Sequence, residues 1–410
     1  MSSRFSPSSD ESSCSGVSHP AGTSHPAGTS HSANVSPSAD SPSGVASPSG
    51  PSFPAPGLDG PPGAGVWAAL GWDDDWAAAF EEHARRGLSP ARVVRVDRGR
   101  CDLVAEAGPV RVESGPPGAC TGDWAALRAG AAGAEPRLEA LLPRRTAIVR
   151  ASASRDSQGQ VLAANVDTVV LAVPAGGSWD AGRLERLLAL AWESGARPVV
   201  ALTKIDRCAD PGALLEEAAA LAPGVDVVAT SALHGEGVDT LTALLGGTVV
   251  LLGTSGAGKS TLGNALLGEE VLATGEIREV DDKGRHTTVR RELLPLPHGG
   301  VLIDTPGLRG VGLHDAADGL GQVFADIEEL AAECRFGDCA HRVEPGCAVL
   351  AAVESGALPE RRLASYRKLL RENAWAAART DARLRAEQTN RWKVISRTQR
   401  AAYRFRDKQR

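Results

Sequence analysis

The stretch TVVLLGTSGAGKSTLGNALLG, residues 248–268, places an apolar run of strand character directly before a glycine-rich loop and a helical pattern. The loop at 253–260 satisfies the spacing G-x-x-x-x-G-K-[ST] in the strand, loop and helix context that this phosphate-binding motif requires. Backbone amides and the helix N-terminus bind phosphate oxygens, Lys259 reaches the β- and γ-phosphates, and Ser260 can ligate Mg²⁺. The predicted nucleotide contacts in this segment are Gly253, Thr254, Ser255, Gly256, Ala257, Gly258, Lys259, Ser260 and Thr261.

Further apolar runs share this strand character and alternate with helical stretches such as RLERLLALAWESG (183–195). They are TVVLAV (168–173), PVVALT (198–203), VDVVAT (225–230) and VLID (301–304). Near-continuous apolar strands with helices between them favour a parallel sheet that is covered on both faces. The sequence therefore predicts a central α/β domain.

The segment VLIDTPG, residues 301–307, supplies a second part of the phosphate site. Asp304 ends the apolar run, where its carboxylate can hold the Mg²⁺ directly or through water, and Gly307 can offer its N–H to the γ-phosphate. The polar GRHTT segment (284–288) provides a switch threonine for the same ion, either Thr287 or Thr288.

A base-reading motif is expected at Thr203-Lys204-Ile205-Asp206, which follows the run PVVAL. Asp206 suits the guanine N1–H and exocyclic amine, whereas Thr203 replaces the commoner Asn and can tie this loop to the phosphate loop only through its hydroxyl. After the next strand, Ser231 and Ala232 suit the backbone that contacts the guanine O6. Since these motifs have no role in adenine recognition, the sequence predicts a GTP/GDP site and disfavours a P-loop ATPase.

The order of the motifs is unusual, because the base-reading segments at 203–206 and 231–232 precede the phosphate segments at 253–260 and 304–307. A circular permutation preserves the site in three dimensions while moving the chain ends. The switch region then leads directly into whatever follows residue 310, so nucleotide state can be transmitted to a C-terminal domain.

The N-terminal part has a different character. Residues 1–62 are dominated by Ser, Pro, Gly and Ala and contain a tandem SHPAGT repeat, so they are expected to be a disordered extension. Several short alternating segments then predict an OB-like β-barrel with a nucleic-acid role. These segments are ARVVRVDRG (91–99), RCDLVAEAG (100–108) and PVRVESG (109–115), with TAIVRAS (146–152) as a later strand.

A metal site is predicted from the C-x4-C-x-H-x5-C spacing of Cys334, Cys339, His341 and Cys347. Three thiolates and one imidazole make a closed tetrahedral Zn²⁺ site of structural type, with no position left open for catalysis. The chain has seven cysteines, too few for its length to suggest a disulfide framework.

The net charge of −6 conceals a basic C-terminal segment, residues 361–410, with 16 Lys and Arg against 4 Asp and Glu. Such a segment suits either a polyanionic partner or a solvated, Arg-rich helix, and charge leaves both open. Neither a run of 18 apolar residues nor a secretory signal occurs, so the expected location is cytoplasmic, without a membrane.

Together these motifs resemble those of the circularly permuted, small-subunit-dependent GTPases of the RsgA family. The resemblance covers about residues 66–375 and includes ANVDTV (164–169), TGDWAAL (121–127) and LLPRRTAIVRAS (141–152). It implies GTP hydrolysis stimulated by the small (30S) ribosomal subunit late in its maturation. Mg²⁺ is expected to bind with GTP, rRNA is the expected partner, and the chain is expected to be a monomer. It also implies an OB-like barrel (63–152), a GTPase domain (153–325) and a zinc-binding domain (326–410), the last expected to be mostly helical and basic. The extension (1–62) and the segment after about residue 375 lie outside the resemblance.

The residue that positions the attacking water is a further question, because Leu308 and Arg309 stand where Ras-like enzymes offer a Gln. Intrinsic hydrolysis is therefore expected to be slow. His286 is the candidate, since an imidazole beside the metal-binding threonine can orient water; the alternative is a histidine that only shapes the loop.

Two other functions stay open on the sequence alone. One is a GTPase that acts on another RNA or protein, such as a tRNA-modification or translation factor. The other is a nucleotide-gated RNA-binding module in which the zinc domain carries the function and hydrolysis is incidental.

Overall fold

The computed structural model describes residues 64–97, 99–113, 118–130, 134–150, 160–176, 179–274, 291–304 and 316–380. The predicted extension (1–62), the GRHTT segment (284–288), Gly307 and the chain after residue 380 lie outside these residues.

Five antiparallel strands form the β-structure predicted for the N-terminal region. They are β1 (Ser89–Asp97), β2 (Arg100–Ala105), β3 (Gly108–Glu113), β4 (Trp124–Arg128) and β5 (Arg137–Leu141). Strand β1 pairs with both β2 and β4, and β5 pairs with β4. One face of each strand contributes small and branched side chains, including Ala91, Val93 and Leu103, to a common core.

The segment TAIVRAS contributes a strand outside the barrel pairing. Strand β6 (Ala147–Arg150) pairs with β7 (Gln160–Ala164) in a separate two-stranded sheet. The Ala147 N–H donates to the Ser194 carbonyl, and the Thr146 hydroxyl donates to the Val166 carbonyl. These bonds hold β6 against the α/β part of the chain.

Two helices, α1 (Ala64–Ala69) and α2 (Asp74–Arg85), precede the barrel. Asp73 caps α2 by accepting a hydrogen bond from the Trp76 N–H at 2.8 Å. Trp67, Trp72 and Trp76 surround the fully buried Trp124 ring of β4, and Trp72 meets it edge-on at 4.7 Å. Four of the eight tryptophans therefore pack against one another here.

The central domain contains the predicted parallel sheet, in the order β10-β9-β8-β11-β13. Its strands are β8 (Thr168–Pro174), β9 (Arg197–Thr203), β10 (Asp226–Thr230), β11 (Thr248–Leu252) and β13 (Val301–Asp304). Both faces are covered as expected, because consecutive strand residues such as Val169 and Val170 are equally buried. The helices are α3 (Ala181–Glu193), α4 (Pro211–Leu221), α5 (Val238–Leu244) and α6 (Lys259–Leu267).

One edge of this sheet corrects the expectation of purely parallel strands. Strand β12 (Glu292–Pro295) runs antiparallel to β13 and also pairs with β1 of the barrel, where Arg95 lies opposite Glu292. The hairpin between β12 and β13 spans only five residues, 296–300, which is too short for the crossover that a parallel pair needs. Barrel and α/β domain therefore share one hydrogen-bonded sheet.

A buried arginine reinforces this junction. Arg92 of β1 is 1% exposed, donates to the Thr248 hydroxyl at 2.9 Å and lies 4.7 Å from the Trp124 ring centroid. Burial lowers the pKa of Arg92 to about 10, so the guanidinium stays charged at neutral pH. Thr248 opens the strand that leads into the phosphate loop, so the barrel reaches that strand directly.

The C-terminal part is mostly helical, as predicted, with α7 (Ala317–Val323), α8 (Ala325–Ala332), α9 (Ala348–Glu354) and α10 (Glu360–Thr380). Arg362 of α10 binds Asp326 of α8 at 2.6 Å and the buried Glu185 of α3 at 3.1 Å. A guanidinium can bridge two carboxylates because it presents five donors in one plane. Arg362 thereby links α10 to α8 and to α3 of the α/β domain. Among the residues that the structure describes, none of the helices combines the length and the apolar character needed to cross a membrane.

Candidate functional site

The nucleotide motifs meet at one edge of the parallel sheet, where the carboxyl ends of the strands lie. The phosphate loop follows β11, Asp304 ends β13, and the TKID and Ser231-Ala232 segments follow β9 and β10. The chain runs outward from β8 through β9 to β10 and returns to β11 on the other side of β8. Ligands of open α/β sheets bind at such a reversal of strand order.

The phosphate loop depends on two glycine positions. Gly253 has φ +155°, and a Cβ there would lie 2.4 Å from the Ala172 carbonyl oxygen, so a side chain would clash with β8. Gly258 adopts the left-handed conformation, φ +84°, immediately before α6. These positions let the loop fold over the end of the sheet and direct the helix N-terminus at it.

Lys259 holds its ammonium within this loop. Its Nζ donates to the carbonyl oxygens of Gly253 and Thr254, both at 2.8 Å. Ala257 is buried, whereas Ser255, Gly256 and Thr261 face solvent and Ser260 is half-buried in the first turn of α6. The loop thus presents its backbone and one positive charge to an anion.

The base-reading loop is tied directly to the phosphate loop. Thr203, 4% exposed, donates from its hydroxyl to the Ala257 carbonyl at 2.6 Å. Lys204 adopts a left-handed backbone, φ +60°, and its Nζ donates to the Gly256 carbonyl at 2.6 Å. A threonine hydroxyl therefore makes a connection of the kind for which the commoner Asn supplies an amide.

Asp206 meets Ser231 across the two base-reading segments. The Ser231 hydroxyl donates to Asp206 Oδ1 at 2.6 Å, and this bond lowers the pKa of the Asp206 carboxyl below its usual range. Ala232 follows Ser231 in the same turn. The site thus has an ionised carboxylate at the strand end where a guanine edge would be read.

The metal-binding side of the nucleotide site is described only in part. Asp304 lies next to β11 through the parallel pairing of β13, so it faces the same sheet edge as Ser260. His286, Thr287, Thr288 and Gly307 lie outside the described residues, and their assignments stay predictions.

The four predicted zinc ligands converge. The ligand atoms of Cys334, Cys339, His341 and Cys347 all lie within 4.8 Å of one another. The Sγ atoms of Cys334 and Cys347 are 3.8 Å apart, too far for a disulfide, and the His341 Nδ1 lies 3.6 and 3.4 Å from them. Tetrahedral zinc with ordinary bond lengths requires S···S edges of about 3.8 Å and S···N edges of about 3.6 Å. The donor set therefore fits zinc in its chemistry, and the three distances among Cys334, His341 and Cys347 match tetrahedral edges.

Local backbone features hold these ligands in place. His341 has φ +52°, and Cys347 caps α9 by accepting from the Leu350 N–H at 3.4 Å. The Glu344 carboxylate accepts hydrogen bonds from the backbone N–H groups of Ala340, Arg342 and Val343, which lower the pKa of Glu344 to about 2. The loop around His341 is thus closed on itself.

Two features were missed by the reasoning from sequence. His234 lies 3.1 Å from the Ser231 hydroxyl. The only signal for this contact in the sequence was that His234 follows Ser231 by three residues in TSALHG (230–235). On α10, Lys368, Arg371 and Trp375 are exposed and recur at helical spacing, whereas Leu369 is buried. Periodicity in RRLASYRKLLRENAW (361–375) was the available signal for this stripe.

Comparison with known proteins agrees with this geometry. The sequence profile of the RsgA GTPase family matches residues 141–314. The small ribosomal subunit biogenesis GTPase RsgA of Streptomyces coelicolor is 59% identical over 332 residues, which cover 78% of this chain and 90% of that protein. The crystal structure of YjeQ from Thermotoga maritima superposes with a TM-score of 0.52 at 25% identity, covering 70% of this chain and 98% of that one. YloQ, described as a circularly permuted GTPase, shares the fold with a TM-score of 0.51 at 24% identity, covering 70% of this chain and 94% of that one.

The predicted family, fold class and GTPase chemistry are thereby confirmed. Relatives at this identity and coverage, the profile match and the permuted order of motifs along one sheet edge lead to a single conclusion: the chain belongs to the RsgA family of circularly permuted GTPases.

Proposed function

We propose that this GTPase acts as a late maturation factor of the small (30S) ribosomal subunit, binds its rRNA in the cytoplasm as a monomer, and hydrolyses GTP faster when bound there. The observation that carries the proposal is the assembly of the permuted motifs at one sheet edge, in a chain 59% identical to a relative named for small-subunit biogenesis. The same division into extension (1–62), barrel (63–152), GTPase (153–325) and zinc domain (326–410) is proposed.

The chemistry proposed for the nucleotide site draws on its described residues and on the GRHTT (284–288) and DTPG (304–307) motifs. The loop 253–260 and Lys259 bind the phosphates, and Asp206 with the Ser231-Ala232 backbone reads guanine. Ser260 and Asp304, with Thr287 or Thr288, would hold the Mg²⁺, which neutralises charge on the β- and γ-phosphates. The Gly307 N–H would bind the γ-phosphate. Position at the strand ends supports the roles of 253–260, Asp206, Ser231-Ala232 and Asp304, whereas the roles of Thr287, Thr288 and Gly307 rest on the sequence motifs alone.

The cluster of Cys334, Cys339, His341 and Cys347 is proposed to hold one Zn²⁺. The spacing of its ligand atoms supports a closed site with four protein ligands. A closed site supplies rigidity and no chemistry, so its role is to fix the turn between α8 and α9.

Nucleotide state has a proposed structural route to the barrel. Strand β12 lies along the chain between the GRHTT and DTPG segments, and it pairs with both β13 and β1. A shift of β12 would therefore displace Asp304 on one side and the barrel on the other. This coupling supports a factor whose affinity for RNA depends on the nucleotide bound to it.

The basic stripe of α10, defined as Lys368, Arg371 and Trp375, is the proposed contact with rRNA phosphates. Its exposed cations lie on one face, while the opposite face carries the buried Leu369 and the Arg362 ion pairs. Cations that meet phosphates release counterions, which makes binding steeply dependent on salt.

We expect Lys368→Gln with Arg371→Gln to weaken binding to small subunits by about tenfold at low salt, and to flatten the salt dependence. The matched control is Ala213→Glu with Ala220→Glu, which changes the total charge equally at exposed positions of α4. Affinity is measured by cosedimentation over a salt series. Equal weakening by both pairs would show an effect of total charge and contradict the stripe.

The function itself is tested by GTP turnover with purified small subunits, large subunits or neither. We expect slow turnover alone and stimulation of at least about tenfold by small subunits only, because binding would bring a water-positioning group to the γ-phosphate. Stimulation by large subunits instead would indicate a GTPase of another partner. GTP-dependent RNA binding without stimulated turnover would favour the RNA-binding module.

His286 is the proposed water-positioning residue in that stimulated state. We expect His286→Ala to keep its affinity for GTP and to lose most of the stimulation, whereas His298→Ala, an exposed histidine in the hairpin between β12 and β13, should behave as the unmodified chain. Full stimulation of His286→Ala would remove His286 from the mechanism and indicate a group contributed by the ribosome.

A further inference from the structure

Three side chains in hydrogen-bond contact lead to the carboxylate that would read the base. His234 Nδ1 lies 3.1 Å from Ser231 Oγ, which lies 2.6 Å from Asp206 Oδ1. Ser231 is 1% exposed, whereas His234 is exposed in the turn that follows β10. This series of hydrogen bonds therefore runs from solvent, through a buried hydroxyl, to the candidate guanine site.

The direction of each hydrogen bond follows from the proton count. A hydroxyl has one proton, and at 2.6 Å from an ionised carboxylate the Ser231 proton must lie toward Asp206, since two lone pairs would otherwise face each other. The Ser231 oxygen can then only accept from His234. Nδ1 of His234 therefore carries a proton and donates it to Ser231.

Backbone hydrogen bonds of the turn after β10 hold this arrangement in place. The Ser231 N–H donates to the Glu236 carbonyl at 2.9 Å, the Glu236 N–H returns a bond to the Ser231 carbonyl at 3.1 Å, and the His234 N–H also donates to the Ser231 carbonyl. Gly237 closes the turn, because a Cβ there would lie 2.0 Å from the Ala229 carbonyl oxygen. The His234 ring is thus carried by a turn of fixed shape.

We propose that His234 is a positioning residue for guanine recognition: its ring N–H commits the Ser231 hydroxyl to Asp206 and so fixes the carboxylate against the base. The inference rests on the proposed role of Asp206. Without His234, the Ser231 oxygen loses its second hydrogen bond, so the Ser231–Asp206 pair is held less rigidly and the Asp206 carboxylate can rotate more freely. A bidentate contact to guanine N1–H and the 2-amino group needs the carboxylate in one orientation, so recognition of the 2-amino group should suffer most.

The test compares GDP with IDP, which differs only by lacking the 2-amino group. Binding of both nucleotides is measured by calorimetry with the full chain and four variants. His234→Ala removes the ring, His234→Phe keeps a ring without the donor, and His234→Asn places an amide N–H where Nδ1 stood. His298→Ala is the matched control, an exposed histidine in a turn away from the base-reading loops.

We expect the preference for GDP over IDP to fall at least about threefold in His234→Ala and His234→Phe, the size expected from losing one net hydrogen bond. It should return in His234→Asn and stay unchanged in His298→Ala. A full preference in both His234→Ala and His234→Phe overturns the inference and leaves Asp206 in place. No preference in the unmodified chain overturns the role of Asp206 itself, and this inference with it.

Discussion

Replacing Cys339 with Ala should remove the zinc and unfold the segment between α8 and α9. Structural zinc contributes about 10–16 kcal/mol to the folding of zinc-finger peptides, far more than a single hydrogen bond or ion pair between side chains. Phe336 and Val343 of the same loop are exposed, so these two apolar side chains add little to its packing. The loop therefore depends on its ligands for its shape. Metal analysis should find about one zinc in the unmodified chain and almost none in the variant.

Cys339 is the sharper choice because Cys347 also caps α9, so its loss would combine two effects. Hydrogen exchange should show lost protection in α9 and retained protection in β8 to β11, which have their own core. Cys208→Ala serves as the control, since Cys208 is half-buried like Cys339 but lies outside the cluster. An unmodified chain without stoichiometric zinc, purified without chelators, would rule out the proposed ligand set.

The second large effect is expected from Asp206→Asn, which should reverse the base preference from guanine to xanthine. The Asn amide can donate to the xanthine 2-oxo group and accept from its N1–H, whereas it faces the guanine 2-amino group with a second donor. Hydrogen bonds to a charged group are each worth about 1.5–3 kcal/mol, so GTP should bind on the order of 100-fold more weakly. Ser231 can still donate to the Oδ1 of an Asn at this position, so the loop should keep its shape.

Competition between GTP and XTP measures the change directly. Asp226→Asn is the control, because it makes the same chemical change at the opposite end of β10. An Asp206→Asn variant that still prefers GTP would show that the base is read elsewhere. Retained hydrolysis of XTP, in turn, would show that the phosphate site is intact.

Much of the site was predictable because its parts are contiguous. The phosphate loop needs glycines at fixed offsets and a helix immediately after it, and 253–268 contains all of these within one segment. The zinc ligands occupy 14 residues, so their convergence needed only a tight turn. The antiparallel strand β12 was not predictable in this way, because four residues with two apolar positions resemble many loops.

The sequence by itself determined the family and the permuted order of the motifs. It also predicted the candidate nucleotide and zinc ligands, since each lies in local backbone with a required residue type. The tertiary structure decided how these parts are connected. Thr203 bonds a carbonyl 54 residues away, and Arg92 bonds a hydroxyl 156 residues away. It also decided that Ser231 stands between Asp206 and His234, and that Lys368 and Arg371 share an exposed face. Such contacts depend on where separate strands and helices pack, and local propensity does not specify that packing.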